Sequence, residues 1–148
     1  MEHLSELLLR HVDTFSMPDP YAAAHNLMHW AARFGRVVER ENKVLTTGPQ
    51  TATVVKFYIE RKLDNFTHLH IAFDLVGSMP AATLSVVIEA TIECTLPTTR
   101  GIGTAAFRDV YLARLWPAHF RLAHETAKET VDAAQQNLAA QATPQQTG

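Results

Sequence analysis

The chain predicts an α+β domain in which helices cover one face of an antiparallel sheet. Three observations carry that expectation. Apolar and polar residues alternate through residues 52–63, 66–76 and 83–96; apolar residues recur every three or four positions on either side of that block; and turn-forming clusters separate the segments. With 148 residues, 47% hydrophobic and 19% charged, a single domain with its own core is the natural reading.

Near the N-terminus, Leu4, Leu8, Val12 and Phe15 fall on one stripe with Leu7 beside them, which predicts a short amphipathic helix. Ser16 to Pro20 breaks the chain. Asp19 then suits an N-cap and Pro20 a first helical position that needs no N–H donor. A second helix follows to about Phe34, with Ala24, Leu27, Met28, Ala31 and Phe34 on its apolar side and Gly35 as its C-terminal cap. Residues 36–47 predict a weak edge strand, because Val37, Val38, Val44 and Leu45 surround the charged cluster Glu39-Arg40-Glu41.

The three alternating segments predict strands with one buried and one wetter face. A three-residue loop, Asp64-Asn65-Phe66, keeps their faces in agreement. It sets Phe57 opposite Phe73, Ile59 opposite Ile71, Lys56 opposite Asp74 and Glu60 opposite His70. A loop over 77–82 would place Glu89 opposite His70. After a loop over 98–104 ending in Thr104 as N-cap, a helix runs to about Leu138. Phe107, Val110, Tyr111 and Leu115 form its first buried stripe, continued by Phe120, Ala123, Ala127, Val131, Ala134 and Leu138. Pro117 should kink or divide it. Residues 139–148 carry no packing residues and read as a flexible tail to a domain over 1–138.

The expected architecture is therefore two N-terminal helices, a four-stranded antiparallel meander, and a long Pro-kinked C-terminal helix across one face. Over roughly residues 36–140 this order resembles the helix-grip arrangement of START-like lipid and small-ligand binders. It departs from that pattern in having fewer strands, and short helices before rather than after the first strand. Four strands followed by a helix also resemble SecB-like chaperone subunits.

Composition narrows the function. The lone Cys94 excludes an internal disulfide framework and a four-cysteine zinc site. No run of 18 or more apolar residues is present to form a membrane span. A net charge of −2 argues against nucleic-acid binding. The N-terminus lacks the basic start and apolar run of a signal peptide, so a cytoplasmic protein is expected.

Candidate sites are few. His25 and His29 share a helix face with Arg33. His68 and His70 share a strand face with Glu60 and Glu89, and two imidazoles aimed at one point can ligate zinc. The metal candidate is therefore His68, His70 and Glu89, although cross-strand charge pairing accounts for the same residues and no HExxH accompanies them. His119 and His124, five apart, diverge around a helix. Cys94, on an inward strand position, reads as a buried structural thiol. Arg100, in the loop before the long helix, could hold an anion. Arg108, Arg114 and Arg121 recur along that helix, as a solvated face or toward an anionic partner. Val54, Tyr58, Ala72, Val76 and Val87 leave the outer strand face half apolar, as subunit contacts often are.

Three readings follow. The first is a non-catalytic binding module holding a small hydrophobic ligand among Phe57, Phe73, Ile88, Tyr111 and Trp116. The second is a homo-oligomeric or adaptor-like subunit that contacts itself or another protein. The third is a metal-dependent enzyme using the strand histidines. No cofactor motif is present, and none is expected.

Overall fold

A computed structural model describes residues 2–96 and 102–142. Five strands, β1 (Glu2–Ser16), β2 (Arg36–Thr47), β3 (Gln50–Lys62), β4 (Thr67–Met79) and β5 (Thr83–Leu96), form one antiparallel sheet. Their order is β1-β5-β4-β3-β2. Helix α1 (Pro20–Ala31) joins β1 to β2. A continuous helical rod follows β5: α2 (Ile102–Val110), a π-helical turn (Tyr111–Leu115) and α3 (Trp116–Gln141).

The N-terminal segment is thus a strand and not a helix, so the sheet has five strands and only one helix precedes β2. The misleading stripe has a physical origin. Up to Leu7 the even positions face inward, Leu4 opposite Cys94 and Glu6 opposite Ile92. A bulge between Leu7 and Leu9 inserts one residue, after which odd positions face inward, Leu9 opposite Ala90 and Phe15 opposite Leu84. One extra residue in a period-two strand switches its phase, and the switch turns alternation into an apparent helical stripe.

In the β3–β4 hairpin the expected register is found: Phe57 faces Phe73, Ile59 faces Ile71, Lys56 faces Asp74 and Glu60 faces His70. The two phenyl rings stack at 4.8 Å with planes 8° apart. Between β4 and β5 the register differs by two residues. His70 faces Thr91, and Glu89 faces Ala72. The reason lies at Gly77, which remains in the strand because α1 begins on top of it. A Cβ at Gly77 would sit 2.6 Å from Pro20 Cβ, so the close approach needs a glycine and the turn is pushed out to residues 79–82.

Asp19 caps α1 as expected, its carboxylate accepting from Ala22 N–H at 3.1 Å, with Pro20 in the first turn. The helix ends at Ala31, short of Phe34, and Gly35 is not its cap. Gly35 instead lets the chain cross the sheet edge, where a Cβ would lie 2.8 Å from both Glu60 O and Ile59 Cγ2.

The core fills one face of the sheet. Val55, Phe57, Ile59, Leu69, Ile71, Phe73, Leu84, Ile88 and Ile92 are buried beneath two helices. Ala23, Ala24, Leu27 and Ala31 of α1 share the cover with Ala123, Ala127, Val131, Ala134 and Leu138 of α3. Small residues recurring every three or four positions on both helices let them approach the sheet closely. The rod's first stripe behaves otherwise: Tyr111 is buried, whereas Phe107, Val110 and Leu115 are exposed. Thr104 lies inside α2 and does not cap it, and α3 continues to Gln141, where Asn26 of α1 donates to Gln141 Oε1 at 3.1 Å. The remainder of the expected tail, residues 143–148, lies outside the described residues.

Gly77→Ala should destabilise the fold by about 1–3 kcal/mol, the usual cost of overpacking a rigid contact. A lower urea midpoint at unchanged m-value checks this. An unmoved midpoint would show that α1 does not rest on β4 at this point.

Candidate functional site

Two insertions of one residue build the site, the β1 bulge and the π turn. The bulge puts Glu6 on the sheet face that carries the rod, where it stays exposed at the groove. The π turn redirects Trp116, whose N–H bonds to Tyr111 O, five residues back. Residues five apart in a regular α-helix lie about 140° apart. The wider turn reduces that angle, so Tyr111 and Trp116 both reach the core side. It also accommodates Pro117, which has no N–H, where the α-helical ladder is already interrupted.

Between β1 and the start of α3 lies an open groove of about 620 Å³. Trp116, Pro117 and Phe120 supply its apolar surface; Glu6, Arg121, His124 and Glu125 supply charged and titratable groups. Trp116 and Phe120 are half-buried, anchored against the core.

On the other flank of the rod sits a polar clamp. Asp64, in the β3–β4 loop, accepts from Phe66 N–H at 2.7 Å and Thr67 N–H at 2.8 Å through Oδ1. Its Oδ2 accepts from the Tyr111 hydroxyl at 2.8 Å and lies 2.7 Å from His119 Nε2. Thr67 Oγ1 also bonds the Tyr111 hydroxyl. Burial pushes the Asp64 carboxyl up, but the Phe66 N–H, the Tyr111 hydroxyl, the Thr67 N–H and the His119 charge outweigh it and hold it below the usual carboxylate range. Burial likewise raises the Tyr111 hydroxyl; the bond to Thr67 opposes this, and the Asp64 carboxylate adds to it. The clamp fixes the hairpin tip to the π turn and so holds Trp116 over the groove.

Of the residues expected to line a ligand site, Trp116 borders the groove. Phe57, Phe73 and Ile88 lie in the closed core, and Tyr111 is buried in a smaller cluster with Cys94 and Leu96. His68 and His70 share the outer sheet face. His68 Nδ1 lies 3.8 Å from Glu60 Oε1, His70 packs against the Tyr58 ring, and Glu89 instead binds Arg10 at 3.0 Å. Among the described residues no three His, Cys, Asp or Glu side chains converge as a metal-holding group. His119 and His124 do diverge, one to the clamp and the other to the groove. Arg100 lies outside the described residues. Sequence reasoning missed Asp64 and His119 as partners, since 55 positions of chain separate a loop acid from a helix histidine whose meeting depends on the π turn.

No family model matches the chain, and no curated protein matches its sequence. Among solved structures, a Staphylococcus aureus protein of unknown function is similar at 8% identity, covering 91% of this chain and 97% of that one, with TM-score 0.28. A quaternary ammonium Rieske monooxygenase is similar at 12% identity, covering 85% of this chain and 39% of that one, with TM-score 0.24. At such TM-scores neither likeness bears on fold or function.

The clamp has a pH signature. Because the folded Asp64 carboxyl titrates below its unfolded value near 3.9, its contribution is complete above about pH 5 and is lost as pH falls through the folded value. Asp64→Asn should cost about 1–3 kcal/mol at pH 7. It should also flatten the fall in stability between about pH 5 and pH 2, measured by urea unfolding at each pH. Parallel wild-type and variant profiles would refute the assignment.

Proposed function

We propose that the protein is a non-catalytic binding module that holds a small, mainly apolar ligand in the groove between β1 and the start of α3. The observation that carries this reading is the groove itself. Its volume falls within the roughly 300–1,000 Å³ of small-molecule sites, and its aromatic surface carries a few polar groups at the rim, as such sites do. Trp116 and Phe120 supply flat contact area. Arg121 and His124 on one side, with Glu6 and Glu125, orient a polar end of the ligand.

The layout supports the reading by analogy. With β1 ahead of α1 and beside β5, the chain resembles the helix-grip arrangement more closely than its sequence suggested, since a helix now follows the first strand. Our reading puts the protein in the cytoplasm, where a lone buried thiol such as Cys94 stays reduced.

Native mass spectrometry of untagged protein should show an added mass of a few hundred daltons per chain. Titration with anilinonaphthalene sulfonate, an apolar anion, should show one site per chain. Trp116→Ala and Phe120→Ala should each weaken it at least tenfold, about 1.4 kcal/mol, without loss of helical circular dichroism. Unchanged affinity in both variants would rule out the groove.

A further inference from the structure

We infer that β1 and α3 together form a docking slot for an extended peptide that adds to the free edge of β1 and carries a basic side chain six positions before an apolar one. β1 ends the sheet on one side, hydrogen-bonded to β5 alone. Along its outer edge, alternate backbone N–H and C=O groups therefore face away from the sheet. The opposite edge is guarded. The middle of β2 reads Glu39-Arg40-Glu41, whereas the middle of β1 reads Leu7-Leu8-Leu9, with Leu7 57% exposed. Charges on an edge strand discourage another strand from adding, and an apolar stretch invites one.

A flank of α3 borders this edge with two grooves. The first is the groove of Trp116 and Phe120 beside Glu6. The second, of about 430 Å³, is lined by Asp13 and Phe15 of β1 and by Asp132, Gln135, Gln136 and Ala139 of α3. Among the described residues no other strand lines either groove, so both open at the edge of the sheet. α1 meets the opposite flank of α3, where Asn26 bonds Gln141. Phe120 to Gln135 covers about 22 Å of α3 at 1.5 Å per residue. Glu6 to Asp13 stands opposite six residues of β5, Ile92 to Val86, or about 20 Å of sheet. α3 thus runs alongside β1 from one groove to the other. A strand added to the outer edge of β1 spans the bulge as β5 does, with six residues. Six is even, so the two side chains that reach the grooves share the face covered by α3.

Charge in the second groove identifies the occupant. Asp13 and Asp132 place two carboxylates there, and among the described residues no Lys or Arg lines it. His11 Nε2 lies 3.8 Å from Asp13 Oδ2, but it accepts from Gln135 Nε2 at 2.7 Å. Asp132 has no ion-pair partner among the described residues, and Lys128, one turn back on α3, pairs with neither acid. A Lys or Arg side chain from the added strand meets both carboxylates, with its methylene stem along Phe15. Six positions on, an apolar side chain enters the groove beside Trp116 and Phe120, while the backbone between them pairs with β1, as in other strand-addition complexes. Antiparallel addition gives the stronger ladder. Since β1 runs from Glu6 to Asp13, the basic residue comes first in the peptide. The inference rests on the first groove being a ligand site, as proposed above, and adds the second groove and the edge that joins them.

A fluorescein-labelled peptide of alternating Thr and Val, with Lys six positions before Phe, tests this by anisotropy titration against the full chain. It should bind at one site per chain and be displaced by anilinonaphthalene sulfonate. Asp132→Lys should weaken the peptide at least tenfold and leave dye binding unchanged, and a peptide with Glu in place of its Lys should lose as much. N-methylation of one alternate set of peptide amides should abolish binding, whereas methylation of the other set should leave it within twofold. Methylated forms that behave alike overturn the inference, as does peptide affinity unmoved by Asp132→Lys. A chain that holds the dye but not the peptide overturns it while leaving the groove reading intact; loss of both from folded protein overturns the two together. A chain that light scattering shows at twice the 16.5 kDa mass, and that takes up no peptide, overturns it in favour of a second copy on the edge.

Discussion

Pairing of β1 with β5 is the constraint on which the rest of the molecule depends. It joins the two ends of the sheet-forming sequence, Glu2 with Leu96 and Ser16 with Thr83. Closing so long a loop costs entropy that only a long ladder and a shared core can offset. With β1 in place β5 becomes an interior strand, and its Leu84, Val86, Ile88, Ala90 and Ile92 gain cover on the inner face. β1 also widens the floor under α3 and supplies the groove wall that carries Glu6. Without it the rod would overhang an unfinished edge.

The second constraint is the π turn, a one-residue insertion in a helix that matches the one-residue bulge in β1. Each changes the phase of everything that follows, and each is pinned by tertiary contacts. For the π turn the pin is the Asp64 carboxylate, whose Oδ1 accepts two backbone N–H groups while its Oδ2 meets Tyr111 and His119. A carboxylate so fully satisfied costs little to bury and is expensive to disturb. The groove and the clamp are thus two sides of one device: the clamp fixes the helix rotation, and that rotation turns Trp116 and Phe120 together toward the groove.

Much of the fold was legible. Alternation located β3, β4 and β5, and face agreement set the β3–β4 register through Asp64-Asn65-Phe66. Asp19 and Pro20 marked the start of α1. The site was less legible. Of the expected lining, Trp116 borders the groove, whereas Phe57, Phe73 and Ile88 are buried in the core beneath α1 and α3. Arg108, Arg114 and Arg121 recur along the rod, but the side of the helix each occupies depends on the π turn between them.

By itself the sequence determined what is local: the period of each strand, the cap of α1, and a long C-terminal helix with an alanine-rich inner stripe. These follow from spacing, since period two and period 3.6 are properties of the chain's own geometry. Tertiary structure decided the phase. Whether Leu4 to Phe15 forms a helix or a bulged strand depends on β5, some eighty residues away, offering a ladder. Whether His119 meets Asp64 depends on one extra residue in a helical turn. Pairing partners supply the energy that selects between such alternatives, and a partner distant in sequence leaves no periodic trace in the segment it selects.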